Sequence, residues 1–476
     1  MRLTRALTAA TAVALLAPAA ASAVDYPQPT DPGKPKPRPG GSATLKVCKR
    51  GCKYKNIQKA IDAARAGDTI RVAAGTYKPT KSIGFSVTGH AKDAIRIIGD
   101  PKKPGKVFID SRGKQNGFII NGSDDVTVNG FATKGYSGNG FFVVNADGYT
   151  FTHLIAQGNG TYGVYAFNTK GGTISNSEAY YNNDSGFYIG QTPPQVKPKR
   201  SVATNLSAWG NVLGWSGTNM RYVTITKSDF FNNGVGIVPN ALSSEKYPPP
   251  VTNVITRNRI FWNNYNYYGG APFKLRKEAS GLGGYPIGTG ILLFGGQDHQ
   301  ITNNQIFGNW LVGAGLVQQF TLPGDADKLE QEAATKTGAA KAKLLAQAKE
   351  IREAAVLRKN RISGNAFGLN GTDLNGRGLF YDGSGTENCF SGNTGLGADQ
   401  PNVPAANPAV FPSCPGPAQN TEDASALIEA AGWLASPTDT DAQKAAKVPT
   451  TWKQHPHASG IKVGGKTVTP LVNYKK

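Results

Sequence analysis

Apolar residues in this chain come in short runs, not in helical stripes. GFFVVNADGYTFTHLIAQGN, residues 140–159, and its successor YGVYAFNTKGGTISNSEAYYNN, residues 162–183, interleave Val, Ile, Phe, Tyr and Thr with Gly, Asn, Asp and Ser. Runs this short and this closely punctuated suit neither helices nor hairpin strands of ordinary length, and they predict three short strands per turn of a coil. The pattern also repeats. The glycine opening each apolar run recurs at Gly117, Gly140, Gly163 and Gly186 in three steps of 23 residues, and Gly290 to Gly313 is 23 again. Gly214 and Gly236 follow at steps of 28 and 22, so turns absorb the differences. A period in the range of about 20–50 residues marks a repeat array whose units bury their apolar faces against each other.

One phrase makes the stacking explicit. ITNNQIFGN, residues 301–309, has a near copy in ITRNRIFWN, residues 255–263, and a looser one in LRKNRISGN, residues 357–365. Parallel strands stack about 4.8 Å apart, so the copies predict interior columns of Ile255, Ile301 and Leu357 and of Ile260, Ile306 and Ile362. Asn258, Asn304 and Asn360 then form a ladder of stacked amides, while Asn232, Asn263, Asn309 and Asn365 mark a second turn. Two insertions break the period. Residues 265–289 are Gly-, Tyr- and Lys-rich, and 325–356 read as helical with Leu344, Ala348, Ile351 and Ala355 on one face. Excursions of this kind often border a binding groove.

The first 23 residues, with Arg2 and Arg5 ahead of an Ala/Leu/Val run and small residues at Ala21 and Ala23, read as a cleaved secretory signal peptide. Residues 24–43 are a Pro-rich linker, 44–414 one elongated repeat domain, and 415–476 an extension with a helix around Ala424–Leu434. No stretch predicts a transmembrane segment. In an exported chain an even number of cysteines favours disulfides over metal ligation, and the four present pair most simply as Cys48 with Cys52 and Cys389 with Cys414. Against 31 acidic residues stand 52 Lys and Arg, a net charge of +21, or +19 without the signal peptide. That balance favours an acidic polysaccharide or an anionic cell-envelope polymer as partner. Nucleic acid is not expected, and the chain is taken to act as a secreted monomer.

The coil pattern resembles the right-handed parallel β-helix superfamily, the pectate-lyase-like fold, and within it the secreted bacterial proteins built from parallel β-helix repeats. IQKAIDAARAGDTIRVAAGTY, Ile57–Tyr77, resembles their capping helix and first coil; its apolar face is Ile57, Ala60, Ile61 and Ala64, with Gly67 expected to stop the helix. NCFSGNTG, Asn388–Gly395, with the later FPSC resembles the closing, disulfide-bearing coil. The resemblance implies an all-β, single-stranded right-handed parallel β-helix, about 23 residues and three short strands per coil, with an N-terminal capping helix and a helical insertion. It does not choose an activity, because the superfamily hosts many.

Aligned coils put Lys227 and Arg257 in one slot and Asp229 and Arg259 in another; Lys359 and Arg361 continue these slots. Asp229 over Arg259 reads as a salt-bridge ladder, whereas Lys227 over Arg257 repel unless an anion sits against them or both splay into water. Where that anion is a uronate, the superfamily's chemistry is implied: proton abstraction at C5 by a lyase or C5 epimerase, with Arg or Lys as base and acidic residues holding calcium. The candidates are Lys227 or Arg257 as base, Arg259 as carboxylate clamp with Asp229 beside it, and Tyr222 as an alternative proton carrier. Asp124 and Asp147, stacked at a turn, are the candidate calcium pair. No superfamily catalytic motif matches: neither the WiDH of pectate lyases, nor the NTD, DD and GHG set of polygalacturonases, nor the DPHE of mannuronan epimerases is present. Asp298-His299 reads as structural, His153 as an unengaged histidine in the Lys227 column, and His455 with His457 as at best a weak metal site. The alternative to an enzyme is a non-catalytic binding or structural rod.

Overall fold

The computed structural model describes residues 39, 41–86, 90–110, 113–265, 285–368, 375–396, 407–435, 461–463 and 466–468. The signal peptide, nearly all of the linker, most of the 265–289 insertion, and His455 and His457 lie outside the described residues. Two compact units are present, an N-terminal one within 25–216 and 222–230 and a C-terminal one within 217–221 and 231–468. Each is described by itself.

In the N-terminal unit the 23-residue period is a parallel register. Strands Ile83–Ser86, Asn116–Asn121, Asn139–Val144, Val164–Phe167 and Ser185–Gly190 stack in one sheet, pairing Phe118 with Phe141, Phe141 with Val164 and Val164 with Phe187. These side chains are fully buried and form one interior column. A second sheet carries the long strands Val126–Lys134, Tyr149–Gln157, Thr173–Tyr180 and Ser201–Trp209. Each long strand is bent midway by one left-handed residue, Gly130 (φ 83°), His153 (51°), Asn176 (48°) or Asn205 (54°), so it serves as two runs. That gives three runs per coil, as the sequence predicts.

The marker glycines have a physical cause. A Cβ at Gly163 would come within 2.5 Å of the Gly186 carbonyl oxygen and 2.9 Å of the Asn182 amide. The close approach is made by an asparagine ladder: Asn159 donates to Asn182 at 2.8 Å and Asn182 to Asn211 at 2.9 Å, all buried. Every rung satisfies a buried amide and ties one coil to the next.

Helix α1, Ile57–Ala63, packs against strands of the first coil with Ile57, Ala60, Ile61 and Ala64 buried. Asn56 caps it, its side chain accepting from the Lys59 N–H at 3.2 Å. The helix stops at Ala63, ahead of Gly67, because the Lys92 ammonium bonds its last carbonyls, Ile61 at 2.8 Å and Asp62 at 3.0 Å. Gly67 instead forms the left-handed turn (φ 80°) into the next strand.

In the C-terminal unit the strands Thr289–Phe294, Val312–Val317 and Leu379–Tyr381 pair in parallel, and Val254–Thr256, Gln300–Thr302, Arg361–Ser363 and Cys389–Ser391 form another parallel stack. The first two copies of the repeated phrase align as predicted: Ile255 pairs with Ile301, Ile260 with Ile306, and Asn258 donates to Asn304 at 3.0 Å. The third copy does not. Ile301 pairs with Ile362 rather than Leu357, Ile306 with Phe367 rather than Ile362, and Asn304 bonds Asn365 rather than Asn360. Asn360 belongs to a different ladder, with Asn388 and Asn420, and Arg361 stands beside Gln300 rather than Gln305. The second turn is marked by Asn233, Asn263, Asn309 and Asn375, not by Asn232 and Asn365.

The misreading has a simple origin. Each phrase repeats itself internally as an aliphatic residue followed three positions on by Asn, so a shift of five residues superimposes Ile on Ile and Asn on Asn. The register is decided by the intervening insertion, which forms helices α2, Leu322–Ala334, and α3, Gly338–Ala355. Leu322, Ala354 and Ala355 pack with Ala241, and Ile351 rests against them. Of the predicted helical face, Ala348 and Ala355 are buried and Leu344 and Ile351 half-buried. Helix α4, Ala424–Ala435, is the predicted extension helix. Both disulfides form as paired in the sequence reading, Cys48–Cys52 and Cys389–Cys414. No helix among the described residues is long and apolar enough to cross a membrane.

Candidate functional site

Side chains alternate along a strand, so the neighbours of the interior column in the N-terminal unit point outward. Those neighbours are Ile119, Phe142, Tyr165 and Tyr188, paired in that order from coil to coil. Tyr165 stacks on Phe142 with ring centroids 4.6 Å apart and planes 15° apart, and meets Tyr188 at 4.9 Å. Tyr162 stacks on Tyr165 at 4.3 Å and lies 4.9 Å from Tyr188, and Phe167 adds a further ring 5.5 Å from Tyr165. Tyr188 lies over Gly190, where a Cβ would come 2.2 Å from its hydroxyl. Phe142, Val144, Phe167 and Tyr188 are buried, whereas Ile119, Tyr162 and Tyr165 remain half-buried. The result is a buried cluster of rings and aliphatic side chains on the outer side of a sheet, of which only Ile119, Tyr162 and Tyr165 reach the surface.

A titratable group sits at its edge. Asp184 lies in the turn before Ser185–Gly190, held by its N–H to the Thr161 carbonyl and by its own carbonyl, which accepts from Leu213. Only 5 % of it is exposed. Burial pushes its carboxyl up to about 7, with the Tyr162 hydroxyl bond opposing the rise. Near neutral pH this acid exists in both forms, so beside Tyr162 it can donate a hydrogen bond or exchange a proton.

The residues singled out in the sequence fall elsewhere. Tyr222 (φ 57°) and Lys227 (φ 51°) sit at opposite ends of strand Val223–Thr226 in the N-terminal unit. Five steps of about 3.3 Å separate them by roughly 16 Å, so they do not form one site. Lys227 is exposed and Asp229 fully buried. In the C-terminal unit Arg257 is exposed at a left-handed turn (φ 57°), and Arg259, half-buried, pairs with Gln305. Neither Lys227 nor Arg257 forms an ion pair among the described residues.

The proposed calcium pair is engaged otherwise. Asp124 accepts from the Asp147 N–H at 2.7 Å, and the Asp147 carboxylate is bridged by Lys199 at 2.7 Å and Lys170 at 3.3 Å. Two ammonium groups stand where a divalent ion would bind, so these residues do not fit calcium. No set of three or more His, Cys, Asp and Glu side chains converges among the described residues. His299 is structural as expected. It replaces asparagine in a ladder, its Nδ1 facing the Asn253 N–H at 3.4 Å and its own N–H bonding Asn360, and burial holds it neutral at about 3.

The sequence of residues 46–238 matches the family model described as Pel9A-like, right handed beta helix region. With the stacked parallel coils, that settles the architecture. The chain is a right-handed parallel β-helix. Solved structures similar to this β-helix include the A-module of the mannuronan C-5 epimerase AlgE4 of Azotobacter vinelandii, at 18% identity over 71% of this chain and 89% of that one, TM-score 0.44. The DFA-IIIase of Arthrobacter chlorophenolicus is 9% identical over 73% of this chain and 93% of that one, TM-score 0.44. The pectate lyase Pel9A is 16% identical over 76% and 79%, TM-score 0.32. No curated protein matches the β-helix in sequence.

The aromatic cluster was legible in part. Phe142, Tyr165 and Tyr188 recur at the 23-residue period, directly after the interior column, and an outward position that is aromatic three times running is the signal. Asp184 carries no comparable mark, because its shift comes from burial by residues distant in sequence.

Proposed function

We propose that this β-helix binds an acidic polysaccharide, with sugar rings packed by their C–H faces on Tyr162 and Tyr165, the rings of the aromatic cluster that reach the surface. The half-buried Tyr162 and Tyr165, backed by the buried Phe142 and Tyr188, carry this reading, because firmly seated rings with polar groups at their edge suit a ligand that is apolar on its faces and polar at its rim. The excess of 52 basic over 31 acidic residues favours a chain bearing negative charge. Arg2 and Arg5 ahead of an apolar run, together with two disulfides, support a site of action outside the cytoplasm.

A second reading, proton transfer at C5 of a bound uronate by a lyase or C5 epimerase, is favoured by one contact: the Asp184 carboxyl, pushed up by burial, is hydrogen-bonded to the hydroxyl of Tyr162, whose ring reaches the surface. One experiment addresses both. Purified protein is co-sedimented with uronic-acid polysaccharides and their carboxyl-reduced counterparts, and the supernatants are followed by ultraviolet absorbance for unsaturated products and by NMR for inverted C5 centres. Retention that is lost in Tyr165→Ala supports binding on these rings. Absence of retention on every chain would sink the reading, and product formation would promote the second one.

A further inference from the structure

We infer that a shallow groove on the C-terminal unit recognises the anionic groups of a sugar chain, carboxylates or sulfate esters, through Arg361. This rests on the acidic-polysaccharide reading for the polymer but uses residues apart from the aromatic cluster.

The groove has a volume of about 490 Å³ and is lined only by polar side chains and glycines. Register builds it. Gln300 pairs with Arg361, and Thr302 with Ser363, which pairs in turn with Ser391, so the outward positions of three successive strands form one strip. Along its edge run Asn303 (φ 55°) and Gly364 (φ 66°), both left-handed. A Cβ at Gly364 would come 2.7 Å from the Asn303 Oδ1, so glycine there leaves room for the amide against the groove. The floor is therefore hydroxyls and amides, with no Asp or Glu lining it.

Arg361 is the charge in this strip. Its Nε donates to Ser363 Oγ at 3.0 Å, which pins the guanidinium and leaves the terminal nitrogens for a ligand. Among the described residues it forms no ion pair, and nothing acidic in the groove competes for it. A guanidinium held this way presents a planar fork suited to carboxylate or sulfate oxygens. The preceding coil extends the pattern. Thr302 donates to Thr256 at 3.0 Å, and the next residue, Arg257, is an exposed second cation at the same left-handed turn as Asn303. Two coil spacings, about 10 Å, separate the turns of Arg257 and Gly364, so a chain crossing the coils meets Arg257 first, then Arg361 on the middle strand of the strip, with hydroxyls of Thr302, Ser363 and Ser391 beside them.

Affinities are measured by titration calorimetry for a polyuronate, a sulfated glycan and a carboxyl-reduced neutral chain, using native protein, Arg361→Ala, Arg361→Lys and Tyr165→Ala. Arg361→Ala is expected to weaken the anionic chains roughly tenfold and leave the neutral chain unchanged, as loss of a charge-assisted contact predicts. Arg361→Lys should fall between, keeping charge but not the fork. Tyr165→Ala should weaken all chains alike and keep the anionic preference. An unchanged preference in Arg361→Ala overturns the groove and leaves the aromatic site standing; unchanged affinities in Tyr165→Ala do the reverse. If the native protein binds none of the chains, both fail. The stronger of the two anionic ligands names the charged group.

Discussion

The two units treat the outside of a sheet in opposite ways. In the N-terminal unit the outward column is Ile119, Phe142, Tyr165 and Tyr188, and Tyr165 and Tyr162 keep part of their rings in solvent. In the C-terminal unit the outward column of the strands described includes Leu292, Gly315 and Phe380, and the chain covers it. Helix α4 sets Trp433 4.5 Å from Phe380, and Arg377 bridges Glu429 at 2.8 Å, leaving Phe380 1 % exposed. Rings satisfied by their own chain need no other partner. Tyr188 is as buried as Phe380, so the units differ at Tyr162 and Tyr165, whose rings reach solvent and are where a ligand is to be sought.

The comparison breaks most readily at Phe380. Replacing it with alanine removes a buried ring and the seat of Trp433, at a cost of about 3–5 kcal/mol, read as a shift in the denaturant midpoint. Glycan binding should not change. If Phe380→Ala instead abolished binding while sparing stability, the covered face would be the functional one and the contrast would be inverted.

Asp184 sharpens the same contrast through pH. Its carboxyl is raised from 3.8 to about 7 in the folded protein. Between those values the folded state holds a proton that the unfolded chain has lost. Its contribution to stability is therefore fully present below about pH 4 and is lost as pH rises toward 7, by up to roughly 4 kcal/mol. Asp184→Asn cannot ionise, so the stability difference between native protein and variant should drift across that window and level off above it. A difference independent of pH would show that the carboxyl titrates normally.

The two disulfides give a smaller test of how each unit is held. Cys389–Cys414 closes 25 residues of separation and Cys48–Cys52 only 4. Chain-entropy arithmetic assigns about 3.5 kcal/mol to the longer loop and about 2 kcal/mol to the shorter. Separate Cys→Ser pairs, compared by thermal unfolding, should rank in that order; equal losses would mean that native-state contacts, not loop closure, set their worth.

What could be read from the sequence was what repeats locally. The glycine period gave the parallel register of the N-terminal unit because a Cβ at Gly163 would collide with the next coil. The phrase at 255–263 gave the alignment with 301–309 for the same reason. It failed at 357–365, where the phrase's own five-residue echo hid a shift that only the packing of α2 and α3 against Ala241 resolves. The site was harder. Lys227 and Arg257 share a slot when the coils are aligned by sequence, yet Tyr222 stands at the far end of the Lys227 strand, and Asp147 is occupied by Lys170 and Lys199. Those lysines lie 23 and 52 residues downstream of Asp147, and the burial that shifts Asp184 is likewise non-local, so neither could be counted from the sequence.

The smallest expected effects belong to Lys227 and Arg257. Both side chains are exposed at left-handed turns, and neither is ion-paired among the described residues, so alanine at either position should change stability by no more than about 0.5 kcal/mol. Their effect on binding should differ. Arg257 adjoins the Asn303 turn that edges the groove, so its loss should weaken an acidic chain severalfold, and the loss should shrink as salt screens the charge over about 10 Å at 0.1 M. Lys227 belongs to the other unit and is part of neither the groove lining nor the aromatic cluster, and Lys227→Ala should leave binding unchanged. Titrating both variants at low and high salt separates a local contact from a general attraction to positive charge: equal, salt-sensitive losses for the two would mean that net charge alone draws the polymer, and the groove would lose its claim to specificity.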